Sequence, residues 1–298
     1  MERKRDFDYK KTIFLTVLLF IPLLNFLVFY VGVNINSILL SVKQYDVSTD
    51  AYTFIGLDNF AKFLNDAFND KVMLTRIKNS AIQYSITLFI AMPIGVLVSY
   101  SVWKKIPMAG FFKVILFLPS MISSAVFVII AKYFIEYFIP AIFNPNMQSL
   151  INTRDTAFQT MMVYSLWIGF AGNLVLYLGA MSRISDSVIE SAMLEGANSF
   201  QEFWYIVLPS IYSTMTTFIV VGIAGFFSNY GHFYTFYGIY ADDSIQTLGY
   251  YFFVSVVNKA SYAEYPYASA AGIIFTLVAA PITLIVKTLL EKFGPSED

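Results

Sequence analysis

Six stretches of roughly twenty apolar residues dominate this sequence, and each is long enough to cross a hydrocarbon layer of about 30 Å as a helix. They fall near Thr12 to Val33, Ser80 to Val102, Phe111 to Phe138, Phe158 to Met181, Tyr205 to Asn229, and Ala268 to Val286. The expected fold class is therefore all-α, a polytopic membrane protein with six transmembrane helices. Composition agrees, since 57% hydrophobic and 13% charged residues lie outside the soluble range. Thirty Phe and 21 Tyr exceed what lipid-facing helices require, which points to rings at interfaces or along an internal path. A net charge of −1 gives no reason to expect nucleic acid as a partner, and the absence of cysteine excludes disulfides, thiolate metal sites and a cysteine nucleophile.

Six spans put both termini on one side. The basic residues Arg3, Lys4, Arg5, Lys10 and Lys11, the pair Lys104 and Lys105, and Lys287 and Lys292 all fall on that side, which the positive-inside rule makes cytoplasmic. The loop from Val42 to Asn79 opposes this with five basic residues, but it is long and also acidic, so it weighs less. The expected layout is a cytoplasmic tail over 1–11, a transmembrane domain over 12–290 with a cytoplasmic loop at 182–209, and a second tail over 291–298. The first apolar stretch is too long for a signal peptide and lacks a small-residue cleavage site, so it is expected to remain as an anchor. Pro22, Pro93, Pro119 and Pro281 lie in or beside spans, as ordinary bends or as hinges. Phe60, Phe63, Leu64 and Phe68 predict a short amphipathic helix in the first external loop.

The spans offer little that would power transport. Their charged residues lie toward the ends, at Lys113 and at Lys132 and Glu136, so a proton relay is poorly supplied. Sodium coupling through carbonyl oxygens stays open. The sequence contains no GxxxxGK[ST], HExxH or GxSxG motif, and the single histidine, His232, has no partner motif. The chain is read as a non-enzyme without a metal site, whose motor, if it moves solute uphill, is another chain.

Between the fourth and fifth spans the charge returns, in ESAMLEGANSFQEFWYIVLPS, Glu190 to Ser210. Ser187 with Glu190 three residues later has capping-box spacing. Gly196 marks either a corner between two short helices or a place where another backbone packs closely. Phe203, Ile206 and Leu208 then lead to Pro209, in the first turn of the next span. The residues alone fit a solvated connector or a rigid elbow equally well.

This segment resembles the signature of the permease subunits of ATP-binding-cassette importers: EAA, three residues, Gly, nine residues, Ile, one residue, Leu-Pro. Glu190, Ala192, Gly196, Ile206, Leu208 and Pro209 fall in register, with Ser191 in place of the middle Ala and Glu195 where Asp is common. FIGLDNFAKFL, Phe54 to Leu64, and SAAGII, Ser269 to Ile274, are similar to segments of the carbohydrate-type members. The Gly-Gly-Pro loop common after span five is replaced by SNYGHFYTFYGIYADDS, which leaves the substrate class less determined than the family.

The resemblance implies one permease of a pair, two separate ATPase subunits that bind ATP and Mg, an extracellular or periplasmic substrate-binding protein, and a bacterial or archaeal cytoplasmic membrane. It makes the short helix a coupling helix, with Glu190, Ala192, Glu195, Gly196, Ala197 and Pro209 forming the ATPase contact. For a sugar, rings, amides and hydroxyls are needed along the path. Tyr84, Tyr164, Trp167, Asn173, Tyr177, Phe226 and Asn229 are the candidates, each as a ligand contact or as packing. The Tyr-rich run from Asn229 to Tyr251 is read as a binding-protein contact, a gate or a surface loop. The alternative function is a stand-alone secondary transporter or channel.

Overall fold

The structure, a computed structural model, describes residues 9–144, 147–257 and 262–295. Arg3, Lys4, Arg5 and the tail at 296–298 lie outside the described residues. Helices make up most of it: α1 (Ile13–Ser41), α2 (Asp58–Asn69), α3 (Lys71–Trp103), α4 (Ala109–Met121), α5 (Ser124–Phe143) and α6 (Arg154–Met181). They continue with α7 (Asp186–Leu194), α8 (Ser199–Ser210), α9 (Tyr212–Gly225), α10 (Phe233–Tyr237), α11 (Leu248–Val257) and α12 (Tyr265–Phe293). Five of these are long and apolar enough to cross a membrane, and α8 with α9, bent by 61°, makes a sixth.

Two expected spans differ in outline. The stretch Phe111 to Phe138 is two helices, because Ile122 leaves the helical region at φ −88°, ψ 142°. A hydropathy average runs smoothly across a two-residue break and does not register it. The stretch Tyr205 to Asn229 is likewise broken, at Ile211. The second span begins earlier than hydropathy places it, at Lys71, where the Asp70 carboxylate accepts from the Val72 and Met73 amides at 3.1 and 3.3 Å.

Three spans share a device around proline. Pro93, Pro140 and Pro209 each follow by two residues a π-helical segment, Thr87–Ala91, Phe134–Phe138 and Phe203–Val207 respectively. A proline ring collides with the carbonyl four residues back and leaves it without a donor. That carbonyl belongs to Phe89, Glu136 or Tyr205, in the middle of each widened turn, so the extra residue in the turn makes room for the ring.

The chain divides into two compact units. The first comprises the described parts of Met1–Leu64 and Lys259–Ile274. It holds α1 and a hairpin absent from the hydropathy reading, β1 (Lys43–Asp46) against β2 (Ala51–Phe54), with Lys43 opposite Phe54 and Tyr45 opposite Tyr52. Asn59 ties the hairpin to the end of α1 by donating to the Ser41 and Lys43 carbonyls at 2.8 and 2.7 Å. On α2, Phe63 is buried and meets Tyr267 ring to ring at 6.0 Å, whereas Phe68 of the same pattern is exposed.

The second unit, Asn65–Asn258 with Phe275–Asp298, packs α3 along α6 and contains two cores. One joins Phe127 and Val128 of α5, Met161 and Tyr164 of α6, Phe233 and Phe236 of α10, and Tyr250 of α11. The other joins Met92 and Val96 of α3 and Tyr177 and Met181 of α6 to Phe203 and Val207 of α8. Gly249 lets α11 approach the Asn229 backbone closely, since a Cβ there would stand 2.6 Å from the Asn229 carbonyl carbon and oxygen. A Cβ on Gly179 of α6 meets nothing within 4 Å. Gly249→Ala is expected to cost about 1–3 kcal/mol through overpacking. Gly179→Ala is expected to be neutral or to stabilise by up to about 1 kcal/mol through helix propensity. Thermal unfolding of the two variants in detergent checks both.

Candidate functional site

The acidic segment between α6 and α9 is a built corner. Helix α7 starts at an N-cap Ser185, two residues before the expected Ser187, and its first-turn acid is Asp186. The Ser185 and Ser187 hydroxyls bond to each other at 2.7 Å, so the sequence spacing of Ser187 and Glu190 is not used as a capping box. The helix ends in a two-bond cap: the Gly196 amide donates to the Met193 carbonyl at 3.0 Å and the Ala197 amide to the Ala192 carbonyl at 2.9 Å. Gly196 sits at φ +84°, and a Cβ there would meet nothing within 4 Å. The glycine therefore serves the corner through its left-handed backbone and not through close approach.

Two residues later a reciprocal capping box opens α8. The Gln201 amide donates to Asn198 Oδ1 and the Asn198 amide to Gln201 Oε1, both at 2.9 Å. Asn-x-x-Gln was legible in the sequence as a helix start. Pro209 lies near the end of α8, ahead of the 61° bend, and not in the first turn of a new span. The preceding π-helical turn accommodates it.

The corner is fastened to α3 by a cluster that no motif announced. Glu202 is 3% exposed, and its carboxylate takes Lys104 Nζ at 2.8 Å on one oxygen and the Tyr100 hydroxyl at 3.3 Å on the other. The same hydroxyl lies 3.0 Å from the Ser199 carbonyl, and the Tyr100 ring meets Phe203 at 5.0 Å. On its outer side the corner exposes Glu190, Glu195 and a set of apolar residues. Among them Leu194 is 90% exposed, and Phe200 and Trp204 stack at 6.2 Å.

The seven path candidates do not converge. Tyr164 and Trp167 flank Phe127 and line a cavity of ≈ 470 Å³ between α5 and α6. Its other walls are almost wholly aliphatic and aromatic. Tyr84 meets Phe226 edge to face at 6.0 Å and packs on Gly222. Tyr177 is fully buried in the second core, with no hydrogen-bond partner for its hydroxyl among the described residues. Asn173 is half-buried on α6, and Asn229 folds back to accept from the Gly231 amide at 2.8 Å.

A second cavity of ≈ 470 Å³ carries the polar chemistry instead. Ser213, Thr216 and Thr217 of α9 face Lys287 and Glu291 of α12 across it. The i, i+3, i+4 spacing of the three hydroxyls was present in the sequence as one helix face.

The Tyr-rich run from Asn229 to Tyr251 is packed and hydrogen-bonded along much of its length. Phe233 and Phe236 are buried, and the Tyr250 hydroxyl donates to the Gly238 carbonyl at 2.8 Å while accepting from the Ala241 amide. One face of α3 holds the rest: Arg76 pairs with Asp243 at 2.7 Å, Asn79 donates to the Ser244 and Gln246 carbonyls, and Ser80 accepts from the Leu248 amide. Lys132 of α5 donates to the Phe236 carbonyl at 2.9 Å.

These features define a multi-pass helical membrane protein with a rigid corner between its fourth and bent fifth spans. The family model described as "Binding-protein-dependent transport system inner membrane component" matches residues 87–296, well over half of the chain, and the chain belongs to that family. It is 23% identical over 286 residues to the multiple sugar-binding transport system permease protein MsmF of Streptococcus mutans, covering 92% of this chain and 94% of that one. It is also 23% identical to the arabinooligosaccharides transport system permease protein AraP of Bacillus subtilis, over 91% of this chain and 86% of AraP. Against the maltose/maltodextrin permease MalF of Escherichia coli the match is 24% identical over 59% of this chain and 35% of MalF. Among solved structures, a bacterial ABC transporter involved in the import of alginate matches with a TM-score of 0.77 at 19% identity, over 96% of this chain and 98% of that one.

Gly196→Ala forces a side chain into the left-handed region and is expected to cost about 1–2 kcal/mol, read as a lower unfolding temperature. Burial pushes the His232 imidazole below its usual value of 6.5. Below that value the unfolded chain binds the proton that the folded chain resists, so stability present above pH 6.5 is lost as pH falls through the depressed folded value. The unfolding temperature of the natural protein is expected to drop more between about pH 7.5 and 5.5 than that of His232→Gln.

Proposed function

We propose that this chain is one permease of an importer that carries a sugar or oligosaccharide, driven by separate ATPase subunits. The exposed corner carries this reading: α7 ends in a rigid left-handed cap and presents Glu190, Glu195 and Leu194 outward, with no partner for them among the described residues. A surface with acidic residues set around apolar ones suits a groove on another protein. Glu190, Ala192, Glu195, Gly196, Ala197 and Pro209 belong to the segment in register with the importer signature. Glu190 makes the charged contact, and Gly196 and Ala197 hold the turn that aims it. ATP and Mg are bound by the ATPase partners, and no step of hydrolysis falls to this chain.

The corner faces the cytoplasm together with both termini, and α10 and α11 face outward, toward a substrate-binding protein. The second permease completes the path. Sugar recognition needs hydroxyl and charged groups beside apolar faces. Ser213, Thr216, Thr217 and Lys287 supply the former, and Val220 and Val221 an apolar wall of the same cavity. The names of MsmF and AraP, a multiple-sugar and an arabinooligosaccharide permease, support the carbohydrate class.

Affinity purification from the native membrane is expected to recover an ATPase chain and a second permease with this one. Recovery of an active transporter without any ATPase would overturn the reading in favour of a stand-alone carrier. Glu190→Ala is expected to weaken ATPase association by about 30-fold, the loss of a charged contact of about 2 kcal/mol. Co-purification yield against ATPase concentration measures it.

A further inference from the structure

Helix α3 grips both ends of the machinery through polar contacts. Near its start, Arg76, Asn79 and Ser80 hold the segment from Asp243 to Leu248, and the Arg76 guanidinium also lies over the Tyr251 ring at 3.9 Å. Just past its end, Lys104 holds Glu202 of the corner. The helix between them is continuous, and from Arg76 to Lys104 it spans about 40 Å at about 1.5 Å per residue.

On the α9 side the chain's own connection transmits the corner's movement less directly. Between α8 and α9 lies the break at Ile211, φ −102°, ψ 6°, where a 61° bend places a joint that absorbs rotation. The Lys104–Glu202 contact has no such slack. The carboxylate is buried, both of its oxygens are occupied, and the Tyr100 hydroxyl reaches the Ser199 carbonyl one turn away. Buried and paired charges are held more stiffly than exposed ones because leaving the partner means an unpaired charge in an apolar setting.

We propose that the Lys104–Glu202 ion pair is the joint that hands movement of the corner to α3, which carries it to the 243–248 segment. Glu202 is thus a positioning residue for transport, and the proposal rests on the reading of the corner as the ATPase contact. Movement at one end of α3 would then loosen or tighten its hold on the 243–248 segment at the other, and opening of the path on the far side follows nucleotide on the near side.

The chain contains no cysteine, and Tyr240, beside the gripped segment, is 85% exposed, so Tyr240→Cys accepts a single fluorescent label. The test uses the complete transporter in liposomes, with its ATPases, second permease and binding protein, and with the other chains made cysteine-free. In the labelled protein ATP is expected to change the fluorescence. With Glu202→Gln added, ATPase subunits should still co-purify and hydrolyse ATP, while the ATP-dependent signal disappears and uptake per ATP falls by about tenfold or more. Lys104→Gln, which leaves the buried side of the contact in place, should do the same, and the exchange Lys104→Glu with Glu202→Lys should restore the signal.

A signal and uptake unchanged in both glutamine variants would overturn the proposal, as would uptake lost with the signal intact. Failure of the ATPases to join the unsubstituted chain would instead overturn the coupling reading itself, so the two failures are told apart by what co-purifies.

Discussion

A backbone that enters an apolar bundle without regular helical hydrogen bonds needs donors and acceptors from side chains, and in this protein α3 supplies them. The segment from Ala241 to Thr247 is not helical, yet its Ala241, Ile245 and Thr247 are buried. Asn79 satisfies two of its carbonyls, Ser80 takes the Leu248 amide that follows, and Gln246 donates to the Ala241 carbonyl within the segment. An unsatisfied backbone group in such a setting costs several kcal/mol, so these contacts decide whether the segment stays inside at all.

The corner follows the same rule on a smaller scale. Its backbone turns twice within a few residues, and each turn closes with local bonds: a left-handed cap at Gly196 and a reciprocal box at Asn198 and Gln201. Little of its shape depends on distant parts of the chain. The long-range contact of Glu202 with Lys104 and Tyr100 fixes its position in the bundle. Local bonds thus set the corner's shape, and one buried contact sets its place.

The prolines show how a membrane helix absorbs a residue that breaks soluble ones. In α3, α5 and α8 the widened turn before proline keeps the helix continuous, and no span is cut at Pro93, Pro140 or Pro209. The breaks fall shortly after prolines, at Ile122, three residues past Pro119, and at Ile211, two past Pro209. Proline therefore marks the neighbourhood of a break without cutting the helix at its own position.

Hydropathy by itself determined the class of fold, because the cost of exposing backbone to lipid leaves long apolar segments little choice but helix. The register of Glu190, Ala192, Gly196 and Leu208-Pro209 marked the corner, since a left-handed turn needs its glycine at a fixed place. Tertiary structure decided what pairs across the chain. Lys104 with Glu202 and Arg76 with Asp243 are 98 and 167 residues apart, and a charge near a span end reads the same in sequence whether it meets water or a buried partner. The hydroxyl face of α9 and the scatter of the aromatic path candidates were also settled only by packing, because a ring or a threonine on a helix shows its period but not its neighbour.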